Sequence, residues 1–300
     1  MENWDKINAV QRMQDFIEDN INKPISLYML AKAAGYSPWH TSRIFKELIG
    51  KTPLEYIRYL RLSRAALILW EDDKRIVDVA LDFAFDSHEG FTRSFSEMFG
   101  MSPNVYRRNT PPIPLFMPSS IRSYYLTLQK GEINMSENAN TNTVFVQVVE
   151  RPKRKLILKR GIKADNYFDY CNEVGCDVWG VLCSIKDALY EPIGMWLPTN
   201  LRMSGTSIYA QGVEVPVDYS SPIPEGYEII DLEPCKMMVF QGPPFDNEQF
   251  MEAIGDLWEV MKKYDPEIYG FKWADEDGPR FQLVPQGERG YIEARPVRAL

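Results

Sequence analysis

The sequence predicts a multidomain chain, with an all-α domain of two helix-turn-helix units followed by an α+β domain. Three observations predict it. Residues 43–58 and 93–108 share the pattern R-x-F-x-E-apolar-apolar-G-x-[ST]-P-x-x-Y-x-R at a constant offset of fifty residues, which marks a duplicated unit. Asn109-Thr110-Pro111-Pro112-Ile113-Pro114 then ends the helical patterning, because proline removes a donor and turns its predecessor away from helix. Beyond residue 143 the apolar residues fall into short runs of the kind that strands make.

In each copy of the repeat a helix ends at a glycine, Gly50 or Gly100, and the next begins at Thr52-Pro53 or Ser102-Pro103. Glycine closes a helix at positive φ, the hydroxyl caps the next one, and proline suits its first turn. Upstream of the first copy, Ser26 caps a helix over Leu27–Ala34, Gly35 makes a tight turn, and Ser37-Pro38 opens a helix reaching Ile49. Upstream of the second, residues 76–83 form the equivalent helix, and Phe85-Asp86-Ser87 a turn one residue longer before a helix over His88–Phe99. A long helix from Pro53 to about Trp70 joins the two units.

Residues 110–143 read as a linker and packing segment, since Leu115-Phe116-Met117 and Tyr124-Tyr125-Leu126 are too apolar for a free tether and residues 136–143 are polar. From 144 to 300, strand-like runs at 144–149, 155–158, 207–215, 228–232, 237–240, 281–284 and 290–294 are separated by helical runs at 167–186 and 246–264. Phe250, Ile254, Leu257, Trp258 and Met261 fall at helical spacing and are read as core.

Residues 1–109 hold 15 Lys+Arg and 15 Asp+Glu, so the net charge of −8 lies on the remainder. That balance excludes a general nucleic-acid coat protein, yet a neutral domain binds phosphate when its basic groups share one face. Met1-Glu2-Asn3-Trp4-Asp5-Lys6 has no basic region leading into an apolar run, and no stretch nears the ~18 apolar residues of a membrane span. A cytoplasmic location without membrane partners is expected. Cys171, Cys176, Cys183 and Cys235 form no CxxC pair and the chain has two histidines, a poor supply of zinc ligands. The thiols are expected to be reduced and mostly buried, with no metal and no cofactor.

A helix-turn-helix reads DNA with the start of its second helix in the major groove, so the outward residues must be polar. In 38–49 the apolar stripe Ile44, Phe45, Leu48 and Ile49 leaves Trp39, Ser42, Arg43 and Lys46 outward; in 88–99, Phe91, Phe95, Met98 and Phe99 leave His88, Glu89, Thr92, Arg93 and Ser96. Arg43 suits a guanine edge, Trp39 a thymine methyl or the sugar backbone, and Lys46 a phosphate. His40 and His88 fall at the two helix starts. The competing reading pairs Arg43 with Glu47 and Arg93 with Glu97 at i,i+4.

On these residues, with Ile25 through Phe45 and the run from Phe91 to Arg107, the first domain resembles the DNA-binding domain of AraC/XylS-type regulators, and Ser37-Pro38-Trp39-His40-Thr41-Ser42-Arg43 is similar to the MarA/Rob-like subgroup. The resemblance implies two recognition helices in successive major-groove segments of double-stranded DNA, with base contacts at Trp39, Ser42, Arg43, Glu89 and Arg93. Ser42 and Glu89 stand where that subgroup has glutamines, so its operator does not transfer.

Trp179-Gly180, the pair around 207–215, the Phe240-Gln241-Gly242-Pro243 turn and the closing run Tyr291 to Val297 resemble the gyrase-inhibitor-like effector-binding domain of multidrug-sensing regulators. That likeness implies a pseudo-duplicated β-α-β-β fold around a cleft. Aromatic residues with an acid excess suit a flat or cationic amphipathic ligand, and Trp179, Trp196, Tyr209, Trp273, Tyr291 and Glu293 are the pocket candidates. The function expected is transcription regulation under effector control, without catalytic residues. Two alternatives stay open. The second domain could be a small-molecule hydrolase with Glu293 and Tyr291 as acid and base, or a protein-interaction module contacting RNA polymerase.

Overall fold

The structure, a computed structural model, describes residues 2–71, 74–118, 120–122, 124–125, 144–175 and 177–300. Residues 136–143, Leu126 and Cys176 lie outside them. The chain divides into two compact units, Met1–Glu132 and Ile133–Leu300.

The first unit is helical: α1 (Glu2–Asp19), α2 (Leu27–Ala34), α3 (Pro38–Ile49), α4 (Pro53–Glu71), α5 (Ile76–Asp82), α6 (His88–Phe99) and α7 (Pro103–Asn109). Sequence reading left α1 unassigned, although Ile7, Val10, Met13 and Ile17 make a buried stripe on it at helical spacing. Helix α4 packs against α3, α5, α6 and α7, so one helix carries both helix-turn-helix motifs of this unit.

The caps are those the sequence signals. Ser26, Ser37, Ser87 and Ser102 each accept a backbone N–H at the starts of α2, α3, α6 and α7, while Gly35, Gly50 and Gly100 end α2, α3 and α6 in the left-handed region. Thr52 and Glu55 form a reciprocal box, with Thr52 N donating to Glu55 Oε2 at 2.8 Å and Glu55 N to Thr52 Oγ1 at 3.4 Å. The two turns differ in one respect. Where the first uses Gly35, the longer second turn places Ala84 at φ 53°, a conformation that costs a residue with a Cβ about 1 kcal/mol.

The segment after α7 packs on this unit. Ile113, Leu115 and Ile121 are buried, Phe116 N donates to Ser63 Oγ at 2.7 Å, and Ile121 N donates to Gln14 Oε1 at 2.9 Å.

The second unit is α+β: β1 (Phe145–Arg151), β2 (Arg154–Arg160), α8 (Tyr167–Val174), α9 (Asp177–Cys183), β3 (Ile193–Trp196), β4 (Tyr209–Val215), β5 (Glu228–Leu232), β6 (Cys235–Gln241), α10 (Phe250–Lys263), β7 (Phe271–Trp273), β8 (Arg280–Gln282) and β9 (Ile292–Ala299). The strands form a single antiparallel sheet in the order β1-β6-β9-β8-β3-β4-β2-β5, with β7 also on β9. Helices α8 and α9 pack on β4, and α10 packs on β6. Ile157, Tyr209 and Val213 face the first pair, and Phe240 and Tyr291 face α10. Because side chains alternate across a sheet, Leu156, Leu158, Met195, Phe281 and Ala294 build a separate core on the other face.

Three expectations are corrected. The helical run at 167–186 is two helices, since Gly175 at φ 102°, ψ 153° adopts a conformation only glycine holds easily. Strand β3 was not expected, because four residues with a central glycine show no periodicity. Strand β9 runs on to Ala299 through Pro296, which sits in the gap between the partners β8 and β7 on that edge, where a missing N–H does no harm.

Candidate nucleic-acid interface and effector site

In α3 the buried residues are Thr41, Ile44 and Phe45. Trp39 stands 71% exposed at the helix start, Arg43 and Lys46 are exposed, and Ser42 is half-buried beside them. Arg43 lies over the Trp39 ring at 5.2 Å, so indole and guanidinium form one outward surface. His40 is half-buried with its ring 4.7 Å from that of Tyr36, packed against the turn rather than projecting from it.

In α6, Phe91, Phe95 and Phe99 are buried while His88, Glu89 and Arg93 are exposed and Thr92 is half-buried. The Ser96 hydroxyl donates back to Thr92 O at 2.8 Å and so turns inward. The i,i+4 ion pairs weighed for the arginines are absent among the described residues. Glu47 instead stands 3.7 Å from Lys6 Nζ, which leaves the Arg43 guanidinium to the Trp39 ring.

In the second unit the structure joins four of the six pocket candidates. Glu293 is fully buried on β9. Its Oε2 accepts from Trp258 Nε1 at 2.6 Å and from the Tyr291 hydroxyl at 3.0 Å, and its Oε1 pairs with Arg280. The Arg280 guanidinium lies 4.8 Å over the Trp196 ring, and Trp196 meets Tyr209 edge-on at 5.5 Å. Gln282 closes the group, since its Nε2 donates to Tyr209 Oη at 3.1 Å and its Oε1 lies 3.0 Å from Tyr291 Oη. Burial holds both phenols well above their ordinary range; the nearby Tyr167 and Cys171 add to this at Tyr209, and Glu293 adds at Tyr291.

Two candidates fall outside this cluster of polar and ring contacts. Trp273 packs on Phe240 at 6.3 Å under the Arg295 guanidinium at 4.2 Å, and Trp179 is half-buried on α9. Sequence reasoning missed Arg280 and Gln282 and took Trp258 for core. Trp258 is 38% exposed and is held by its bond to Glu293. A signal existed in Arg280-Phe281-Gln282, whose polar-apolar-polar alternation places both polar residues on one sheet face.

Among the described residues, no helix is long and apolar enough to cross a membrane, and no group of three or more His, Cys, Asp or Glu could hold a metal.

Two identically capped helices, each with an exposed arginine at its sixth position and set on a duplicated frame, define a double helix-turn-helix domain. The family described as a helix-turn-helix domain matches residues 30–109. The chain is 38% identical over 175 residues to the transcriptional regulator Rob of Salmonella typhimurium, covering 58% of this chain and 56% of that one. It is 39% identical over 104 residues to the probable transcription factor PqrA of Proteus vulgaris, covering 34% of this chain and 85% of that one. A solved AraC-type regulator from Chromobacterium violaceum aligns with 34% of this chain and 91% of its own at 29% identity and a TM-score of 0.33. The chain belongs to the AraC family of transcription regulators, and it spans just over half the length of the Rob relatives it matches.

Proposed function

We propose that this protein is a sequence-specific regulator that reads DNA with the starts of α3 and α6 and answers to a small molecule bound in its second unit. The observation that carries the reading is the matched exposure of Arg43 and Arg93 at equivalent turns of two identically capped helices. In this reading Arg43 and Arg93 take guanine edges, Trp39 a thymine methyl or sugar, Lys46 a phosphate, Glu89 a cytosine amino group, and His40, Ser42, His88 and Thr92 the flanking polar contacts. The domains are 1–109 for DNA, 110–143 for packing and 144–300 for the effector.

A pseudo-duplicated β-α-β-β fold for the effector domain is supported by the strand order. The half β6-β9-β8 mirrors β2-β4-β3, and the halves meet where Gly194 pairs with Gln282. The effector site is the cluster of Trp196, Tyr209, Tyr291 and Glu293, with Trp179 and Trp273 as outlying walls. Arg280 lies over Trp196 and neutralises Glu293, so a ligand that stacks on that face of Trp196 takes the place of the guanidinium, and a cationic one also takes over its pairing with Glu293.

Selection from a random DNA library with the purified full chain at several salt concentrations tests the reading. The expected result is a bipartite motif across two successive major grooves, bound more weakly as salt rises. Arg43→Ala with Arg93→Ala should erase that selectivity, each change costing about 1–3 kcal/mol, with circular dichroism unchanged. Selective binding by the double variant would overturn the assignment.

A further inference from the structure

Behind the effector cluster, on the opposite face of the same sheet, two guanidiniums share one buried carboxylate. Glu214 on β4 is almost fully buried; its Oε1 accepts from Arg154 Nε at 2.7 Å and its Oε2 from Arg151 Nη1 at 3.2 Å. The remaining donors of Arg154 are used locally, Nη1 on Pro152 O at 3.1 Å and Glu233 O at 3.2 Å, and Nη2 on Cys235 Sγ at 3.6 Å. Arg151 is not so fully satisfied. Its Nε is buried without a hydrogen-bond partner among the described residues, and its guanidinium lies 3.6 Å from the Tyr190 ring centre and 5.6 Å from that of Phe281. The triad therefore carries one uncompensated positive charge in a place where water screens it poorly, which is costly unless an anion joins it.

Beside Arg151 lies a cavity of about 170 Å³, walled by Tyr190, Ile193, Phe281 and Leu283 with Glu214 at its polar end. Glu191 also borders it, but that carboxylate is held by Arg289 Nη1 at 2.5 Å. A dry cavity of ~150 Å³ takes a molecule the size of benzene. Size, apolar walls and one spare positive charge together select a small monocarboxylate with a flat or branched apolar body.

We propose that this cavity is a second ligand site, which binds a benzoate-sized organic anion with its carboxylate on Arg151 and its apolar body against Ile193, Phe281 and Leu283. The site is separate from the Glu293 cluster. Phe281 pairs with Ala294 and Gln282 with Glu293, so successive residues of β8 face the two sites from opposite sides of the sheet.

Calorimetric titration of the full chain with benzoate, and with benzylamine as its cationic counterpart, tests the proposal. Benzoate should bind saturably and benzylamine should not. Arg151→Met keeps the stem and the Arg154–Glu214 pair, and it should weaken benzoate by about tenfold or more, the scale of a lost charge-assisted bond. Leu283→Trp fills the half-exposed wall and should abolish binding without touching a charge. Lys262→Met removes an exposed cation on α10 that lies in neither site and should leave benzoate affinity within about twofold. If Arg151→Met does not fold, the benzylamine contrast and Leu283→Trp still decide. No saturable benzoate binding, equal binding of benzylamine, or benzoate affinity unchanged in a folded Arg151→Met or Leu283→Trp protein would overturn the proposal.

Discussion

Arg280 holds a single oxygen of the buried Glu293 carboxylate from two of its nitrogens, Nε and Nη2. The other oxygen is taken by Trp258 and Tyr291. A carboxylate with no exposure is thus tolerated in the apolar half of the domain because both oxygens are bonded and its charge is matched.

Arg280→Met should therefore destabilise the second unit by about 1–3 kcal/mol, less than for a fully enclosed pair because the arginine is partly exposed. Glu293→Gln in the same chain should restore part of the loss, giving a coupling that urea denaturation of the two single variants and the double variant measures. The Arg280→Met protein should also bind aromatic cations more tightly than the parent, since the internal cation no longer competes for Trp196. Additive losses would mean that the pair contributes nothing.

Gly194 is required by Tyr209. A Cβ on Gly194 would stand 2.2 Å from Tyr209 Oη and 3.2 Å from its Cζ, and the phenol cannot withdraw because it is buried and tied to Gln282. Gly194→Ala should cost about 1–3 kcal/mol as an overpacked core does. Tyr209→Phe in that background should recover much of it, by removing the clashing oxygen. Thermal melting of the single and double variants reads the difference.

The turn before α6 should improve on substitution. Ala84→Gly relieves a left-handed alanine at φ 53°, a gain of 1–2 kcal/mol reduced by the larger backbone entropy of glycine in the unfolded chain, for a net of about 0.5–1 kcal/mol. Equilibrium unfolding should show a higher midpoint with DNA binding retained. A lower midpoint would mean that packing of the methyl outweighs the strain.

Burial pushes the Cys183 thiol up to about 11, with the Glu191 charge adding to the effect. At pH 8 iodoacetamide should modify it roughly a hundredfold more slowly than an ordinary thiol, because only the thiolate attacks. The sign for stability follows. The folded thiol stays protonated where the unfolded one has ionised, so its contribution is whole below the ordinary thiol range and is lost as pH rises toward about 11. Peptide mass spectrometry across pH 7–11, with Cys183→Ala as the blank in the unfolding series, checks both statements.

The sequence by itself determined α2 to α7 of the first unit, while α1 went unread. A glycine at positive φ, a capping hydroxyl and an N1 proline are local devices that work within a turn of chain, so the ends of α2, α3, α6 and α7 could be read without knowing their neighbours. Outward faces followed once the phenylalanines fixed the inward ones; His40 and Ser96 escaped, the first because its ring packs on Tyr36 across the turn and the second because its hydroxyl turns back to Thr92 O.

The second unit depended on pairing between distant segments. Tyr209, Tyr291 and Glu293 were legible as polar or aromatic residues on strands, but Arg280, Gln282 and Trp258 reach them from two further elements. No local pattern specifies that β8 lies between β3 and β9. The shared charge of Arg151, Arg154 and Glu214 arises in the same way. Alternation along a strand tells which residues share a face, while strand order decides which faces meet, and that order is set only when the whole sheet assembles.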